Sequence, residues 1–105
     1  MIREVTDQNF NSEVLISDKL SVVHFSAQWS GASREVNTVM KVLANTYGQQ
    51  ANIGELNVDV SPDVTAMCRI ASVPTILFIK DGKVLERLTS DVPLDQLEDK
   101  IKVHL

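Results

Sequence analysis

The stretch Val23-His24-Phe25-Ser26-Ala27-Gln28-Trp29-Ser30-Gly31-Ala32-Ser33 decides how the chain is read. It begins as the end of a short apolar run, Leu20 to Phe25, interrupted by His24 and carrying Ser21 near its start. Short apolar runs of this kind read as strands buried on both faces. Small residues around a single tryptophan follow, and then a helix. Val36, Val39, Met40, Leu43 and Tyr47 fall at i, i+3, i+4, i+7 and i+11, one face of a 3.6-residue period, with Gly48 as a stop. The segment is therefore a buried strand that turns through a small-residue loop into a long amphipathic helix.

Outward from this unit, Ile2 to Val5 reads as a first strand. Thr6 and Asp7 read as caps of a helix with Phe10, Val14 and Leu15 on its apolar face. Ile53 to Val60 reads as a strand, and Ser61-Pro62 opens a short helix carrying Val64, Met67 and Cys68. Thr75 to Ile79 is strongly β-prone. Asp81-Gly82 is a two-residue hairpin signal, and Lys83 to Leu88 is the returning strand. Val92-Pro93 starts a last helix with Leu94, Leu97 and Ile101 on one side. The order β-α-β-α-β-α-β-β-α predicts an α/β domain, parallel where helices cross over and antiparallel at the final hairpin. One domain over residues 1–105 is expected.

Composition narrows the function. The 105 residues are 44% hydrophobic and carry a net charge of -4 with the two signs interspersed. No basic stripe suggests a nucleic-acid surface, and no apolar stretch reaches membrane-spanning length. No signal peptide is read at the N-terminus. The single cysteine, Cys68, forbids an intrachain disulfide and fits either a reducing compartment or deliberate removal of cysteines. Neither His24, His104 nor Cys68 stands at a metal-ligand spacing, so no metal and no cofactor are expected.

Three landmarks carry a resemblance: the stretch quoted first, Asn57-Val58-Asp59-Val60 with Ser61-Pro62, and Ser72-Val73-Pro74-Thr75 running into Ile76-Leu77-Phe78-Ile79-Lys80-Asp81-Gly82. Together they resemble the thioredoxin family along essentially the whole chain. The resemblance implies the thioredoxin fold, a mixed five-stranded sheet flanked by four helices. It implies a redox motif at Trp29, Ser30, Gly31, Ala32 and Ser33, where the family carries Trp-Cys-Gly-Pro-Cys. Both cysteine positions hold serine here. The family's chemistry needs a thiolate to attack a disulfide sulfur and a second thiol to resolve the mixed disulfide. A hydroxyl ionises far less readily and forms no disulfide. On this ground the chain as it stands is expected not to be an enzyme.

The resemblance also places a buried Asp where His24 stands, a second Trp at Ser26, Pro at Ala32 and a Gly near Ser90. It makes the Val73–Pro74 bond cis and gives a peptide-binding groove of Trp29, Ala32, Val73, Pro74 and Ser90. His24 with the degraded motif and the helix Arg34 to Met40 is similar to the thioredoxin-like N-terminal domain of multidomain monothiol glutaredoxins, proteins of iron homeostasis.

Each residue has a plainer reading. Ser30 and Ser33 serve as helix caps. A serine nucleophile lacks the Gly-x-Ser-x-Gly elbow and an orienting group. His24 is a hydrogen-bonded core histidine, with pH sensing as the sharper alternative. Cys68 is a small core hydrophobe, with a regulatory thiol as the alternative. Trp29 is either packing or a binding hot spot.

The leading expectation is a redox-inactive protein-interaction domain. It would dock a protein partner or an adjoining glutaredoxin domain, in the cytoplasm and with the nucleus as a second compartment. The alternative is a Cys-to-Ser variant of an active thioredoxin, a protein disulfide reductase contributing to cell redox homeostasis. A structural subunit of a larger assembly is the third reading.

Overall fold

In the computed structural model, which describes residues 2–89 and 92–105, five strands form one sheet in the order β1-β3-β2-β4-β5. They are β1 (Arg3–Glu4), β2 (Ser21–Ser26), β3 (Asn52–Asn57), β4 (Thr75–Lys80) and β5 (Lys83–Leu88). β2 pairs parallel with β3 and antiparallel with β4, and all six of its residues are buried. A strand closed in on both edges and both faces has to be apolar, which is why Leu20 to Phe25 reads as it does. The helices are α1 (Gly31–Tyr47), α2 (Pro62–Met67), α3 (Leu94–His104) and a π-helical turn, Asn11–Leu15. The chain has the thioredoxin fold that the landmarks implied.

The sheet separates two cores. On one face, Val22, Ile53, Ile76 and Phe78 meet Val36, Met40, Leu43 and Tyr47 of α1 and Leu97 and Ile101 of α3. On the other, Val23, Phe25, Leu56, Leu77 and Ile79 meet Phe10 and Val14 of the π-helical turn and Val64 of α2. The alternation along β2 sends Val22, His24 and Ser26 toward α1. The hairpin at Asp81-Gly82 has φ of 54° and 75°, both positive as a type I′ turn requires.

Local expectations are corrected in three places. The segment after β1 begins with i→i+4 bonds, Phe10 N to Thr6 O and Glu13 N to Asn9 O, then widens so that Ile16 N reaches Asn11 O. Neither Thr6 nor Asp7 caps it. The Asn9 side chain accepts the Thr6 N–H, while the Asp7 carboxylate accepts the Asp63 and Val64 N–H groups of α2. Gly48 has φ of −59° and donates to Ala44 O, so α1 ends without a left-handed glycine cap. β3 stops at Asn57 rather than Val60, because Asn57 O turns back to accept from Val60 N and Ser61 N.

Candidate functional site

The C-terminal ends of β2 and β3 and the start of β4 converge at one end of the sheet. The registers Ser26↔Asn57 and Phe25↔Thr75 bring together the loop after β2, the turn after β3 and the Val73–Pro74 segment before β4. The three sequence landmarks are thus one surface. The Val73–Pro74 bond is cis, Pro74 is buried and Val73 is half-buried. Ser90 lies outside the described residues, so its place in the groove is not described.

Ser30 starts α1. Its backbone is extended, and its Oγ accepts the Ser33 N–H at 3.1 Å, so the cap reading holds for Ser30. It fails for Ser33, which lies inside the first turn of the helix, 2% exposed, with no partner for Oγ among the described residues. Gly31 and Ala32 are exposed between them. A 17-residue helix directs the positive end of its dipole at this loop, so a negative charge at residue 30 would be stabilised there.

Trp29 is 70% exposed, which removes the core-packing reading. It is held rather than loose, because Nε1–H donates to Asp59 Oδ2 at 3.0 Å. Asp59 is itself placed by a turn in which its N–H donates to Asn57 Oδ1. Val60 and Met67 add exposed apolar area on the neighbouring turn and helix.

His24 is fully buried, but the hydrogen-bonded core reading does not hold. Neither ring nitrogen has a partner among the described residues. Desolvation lowers its pKa from 6.5 to about 4, so the imidazole is neutral at pH 7. Its register partner on β3 is Glu55, whose Oε1 accepts the Ser26 hydroxyl at 2.9 Å. Ser26, Ser33, Asn37 and Glu55 line an open cleft of about 990 Å³ between α1 and the β1–β3 side of the sheet. That cleft adjoins the Trp29 surface, since Gln28 and Val60 also line it. Cys68, at the end of α2, is half-buried. Burial pushes its thiol up while Arg87 opposes the shift, a poor setting for a nucleophile. Among the described residues no three His, Cys, Asp or Glu side chains gather as metal ligands.

Sequence reasoning missed Asp59, Glu55, Asn37 and the Arg34 tie to Gln28 O. Asp59 stood in the second landmark without a role. Its contact with Trp29, thirty residues away, depends on the strand register alone.

A family model described as Thioredoxin matches residues 1–103. Thioredoxin 2 of Chlorobaculum tepidum is 39% identical over 102 residues, covering 97% of this chain and 94% of its own length. Thioredoxin of Staphylococcus saprophyticus is 34% identical over 104 residues, covering 99% and 98%. Thioredoxin 1 of Synechococcus elongatus is 35% identical over 101 residues, covering 96% and 94%. These matches overturn the expectation that the chain is no enzyme. Full-length likeness runs to proteins named thioredoxins, the family whose resemblance implies disulfide reduction. The narrower likeness to glutaredoxin N-terminal domains gains nothing from them.

Proposed function

Because the chain belongs to the thioredoxin family, we propose that it is a variant of a protein disulfide reductase in which Ser30 and Ser33 stand where the reaction uses its two thiols. The observation that carries this reading is the Ser33 hydroxyl, 2% exposed and without a partner among the described residues. An unpartnered buried hydroxyl costs about 1–3 kcal/mol. A thiol, a weak donor and weak acceptor, loses much less in the same place. The packing around residue 33 therefore suits sulfur better than oxygen.

In the dithiol form, the thiolate at position 30 attacks a substrate disulfide and forms a mixed disulfide, releasing the first substrate thiolate. The thiol at position 33 gives its proton to solvent and attacks the sulfur at position 30, so that a 30–33 disulfide forms as the mixed disulfide breaks and the second substrate thiolate leaves. Two electrons pass to the substrate. The N-terminal amides of α1 stabilise the attacking thiolate. Neutral His24, on the sheet face toward α1, takes the place that the resemblance gives to a buried acid in the proton step. The substrate is a protein whose extended segment lies by strand addition along Val73, with Trp29 as its apolar neighbour. The likeness to a glutaredoxin docking domain rests on His24 and the sequence of α1. Relatives named thioredoxin, matched over 94% or more of their length, favour the reductase reading over it and over a role in iron homeostasis. No helix among the described residues is long and apolar enough to cross a membrane.

The test is disulfide reduction by the Ser30→Cys/Ser33→Cys chain beside the parent, with thioredoxin reductase supplying electrons. Turnover by the double variant well above the parent is expected. A folded double variant that does not turn over sinks the reading. Ser33→Cys alone should raise Tm by roughly 4–8 °C, the shift that ~1 kcal/mol gives in a domain of about this size.

A further inference from the structure

The cleft between α1 and the β1–β3 side of the sheet has a buried floor and an exposed rim, and the two differ in chemistry. The floor presents acceptors. Asn37 Oδ1 is buried without a partner among the described residues, and so is the hydroxyl of Ser33, one turn earlier on α1 and 2% exposed. On the sheet side, half-buried Glu55 accepts the Ser26 hydroxyl through Oε1 at 2.9 Å. An ionised carboxylate offers about four acceptor positions, so most of its capacity is unused. No cation pairs with it among the described residues. The rim presents cations. Arg34 and Lys41, both exposed, stand three residues before Asn37 and four after it, each about one helical turn away. Arg34 is tied to Gln28 O, whereas Lys41 forms no ion pair among the described residues. On β1, Arg3 is engaged by Glu13 and Glu4 is exposed.

A buried acceptor calls for an N–H donor, and a half-buried carboxylate without a partner calls for a cation. An ammonium group answers both, with three donors and one charge. A lone cation would be opposed by Arg34 and Lys41. A ligand that carries a carboxylate beside its ammonium turns the same two residues to its favour, and Glu4 directs that carboxylate to the α1 side. We propose that the cleft is a binding site for a free amino acid, its ammonium between Asn37 and Glu55 on the floor and its carboxylate at Lys41 on the rim. The open cleft of about 990 Å³ lies at the upper end of small-molecule sites, which leaves room for a side chain. Asn37 and Glu55 stand there whatever occupies residues 30 and 33, so the site is independent of disulfide chemistry.

The experiment titrates the isotope-labelled chain with L-alanine, and separately with ethylamine and propionate, which carry its two charges one at a time. Backbone amide resonances are followed by nuclear magnetic resonance. L-Alanine should give saturable shifts at the amides of Asn37, Lys41 and Glu55, with a Kd of about 1 mM. Ethylamine and propionate should each bind roughly 10-fold more weakly or worse. Glu55→Gln, close in shape and still able to accept the Ser26 hydroxyl, should weaken L-alanine by roughly 10-fold. Lys41→Gln should weaken L-alanine too, yet leave ethylamine unchanged or tighter, because it removes a charge that repels an ammonium. Shifts with L-alanine that do not saturate, or that lie away from the cleft, overturn the proposal. So does propionate binding as tightly as L-alanine. These three titrations need no variant, so a substitution that disturbs folding leaves them decisive. Failure of the Ser30→Cys/Ser33→Cys chain to reduce disulfides would sink the proposed function and leave this site untouched.

Discussion

A neutral imidazole carries one donor and one acceptor, and in His24 both are buried without partners among the described residues. Unfolding returns them to water, where the ring also regains its ordinary pKa near 6.5. The folded value is about 4, so the unfolded state binds a proton that the folded state refuses. The sign follows: the contribution is fully present above pH 6.5 and is lost as pH falls toward 4. Its size is roughly 3 kcal/mol, a sizeable part of a total near 5–15 kcal/mol. His24→Leu, close in volume and without polar atoms, should stabilise the chain at pH 7.5 by about 1 kcal/mol or more. It should also remove most of the difference between urea midpoints at pH 7.5 and 4.5. An equal acid loss in parent and variant would show that another group is responsible. The sequence placed His24 inside an apolar strand, which was enough to read it as buried. Its lack of partners was not legible, because they would have to come from α1, β3 and β4, elements distant in sequence. Ser33 shows the same limit: serine near a helix start reads as a cap, and only the structure separates the cap at residue 30 from the enclosed hydroxyl at residue 33.

At the scale of elements, α2 is held by a residue outside it. It has only six residues, and its N-cap Ser61 makes no side-chain capping bond. Asp7 accepts the Asp63 N–H at 3.2 Å and the Val64 N–H at 2.8 Å, while Ser61 Oγ accepts the Asp7 N–H. A carboxylate at a helix N-terminus also meets the favourable end of the dipole. Asp7→Ala should therefore cost about 1 kcal/mol, the usual loss of a cap, and Asp7→Asn less. Hydrogen exchange at the Val64 amide should quicken in proportion to the lost protection. Unchanged exchange at Val64 in Asp7→Ala would mean that packing of Val64 alone holds the helix. Asp7 looked like the cap of the segment that follows it, since local spacing is all a sequence displays. The bonds it makes span fifty-six and fifty-seven residues and exist because β1 lies beside β3, where α2 begins. The elements themselves were more legible. Alternation and turn chemistry at Asp81-Gly82 placed β5 at Lys83–Leu88, the bounds the structure has.

At the scale of the whole molecule, β2 belongs to both cores, with Val22 in one and Val23 and Phe25 in the other. Neither core can open without losing the strand that carries the functional loop. The loop is also tied at three points: Ser30 to the Ser33 amide, Arg34 to Gln28, and Trp29 to Asp59 on the turn after β3. These ties explain why the fold was legible from three separated landmarks. Each lies at the same end of the sheet, and the sheet fixes their distances. They also make the loop part of the cooperative unit despite its exposed tryptophan. Unfolding in urea at pH 7 should therefore give one midpoint, whether followed by helix circular dichroism at 222 nm or by Trp29 emission. Trp29 is the only tryptophan, so its emission reports the loop alone. Emission that moves at lower urea than the helix signal would show that the loop loosens first. The coupling of the site to both cores would then be wrong. With coincident midpoints, substitutions that weaken either core, such as Phe25→Ala at about 3–5 kcal/mol, should disorder the loop along with the rest of the chain.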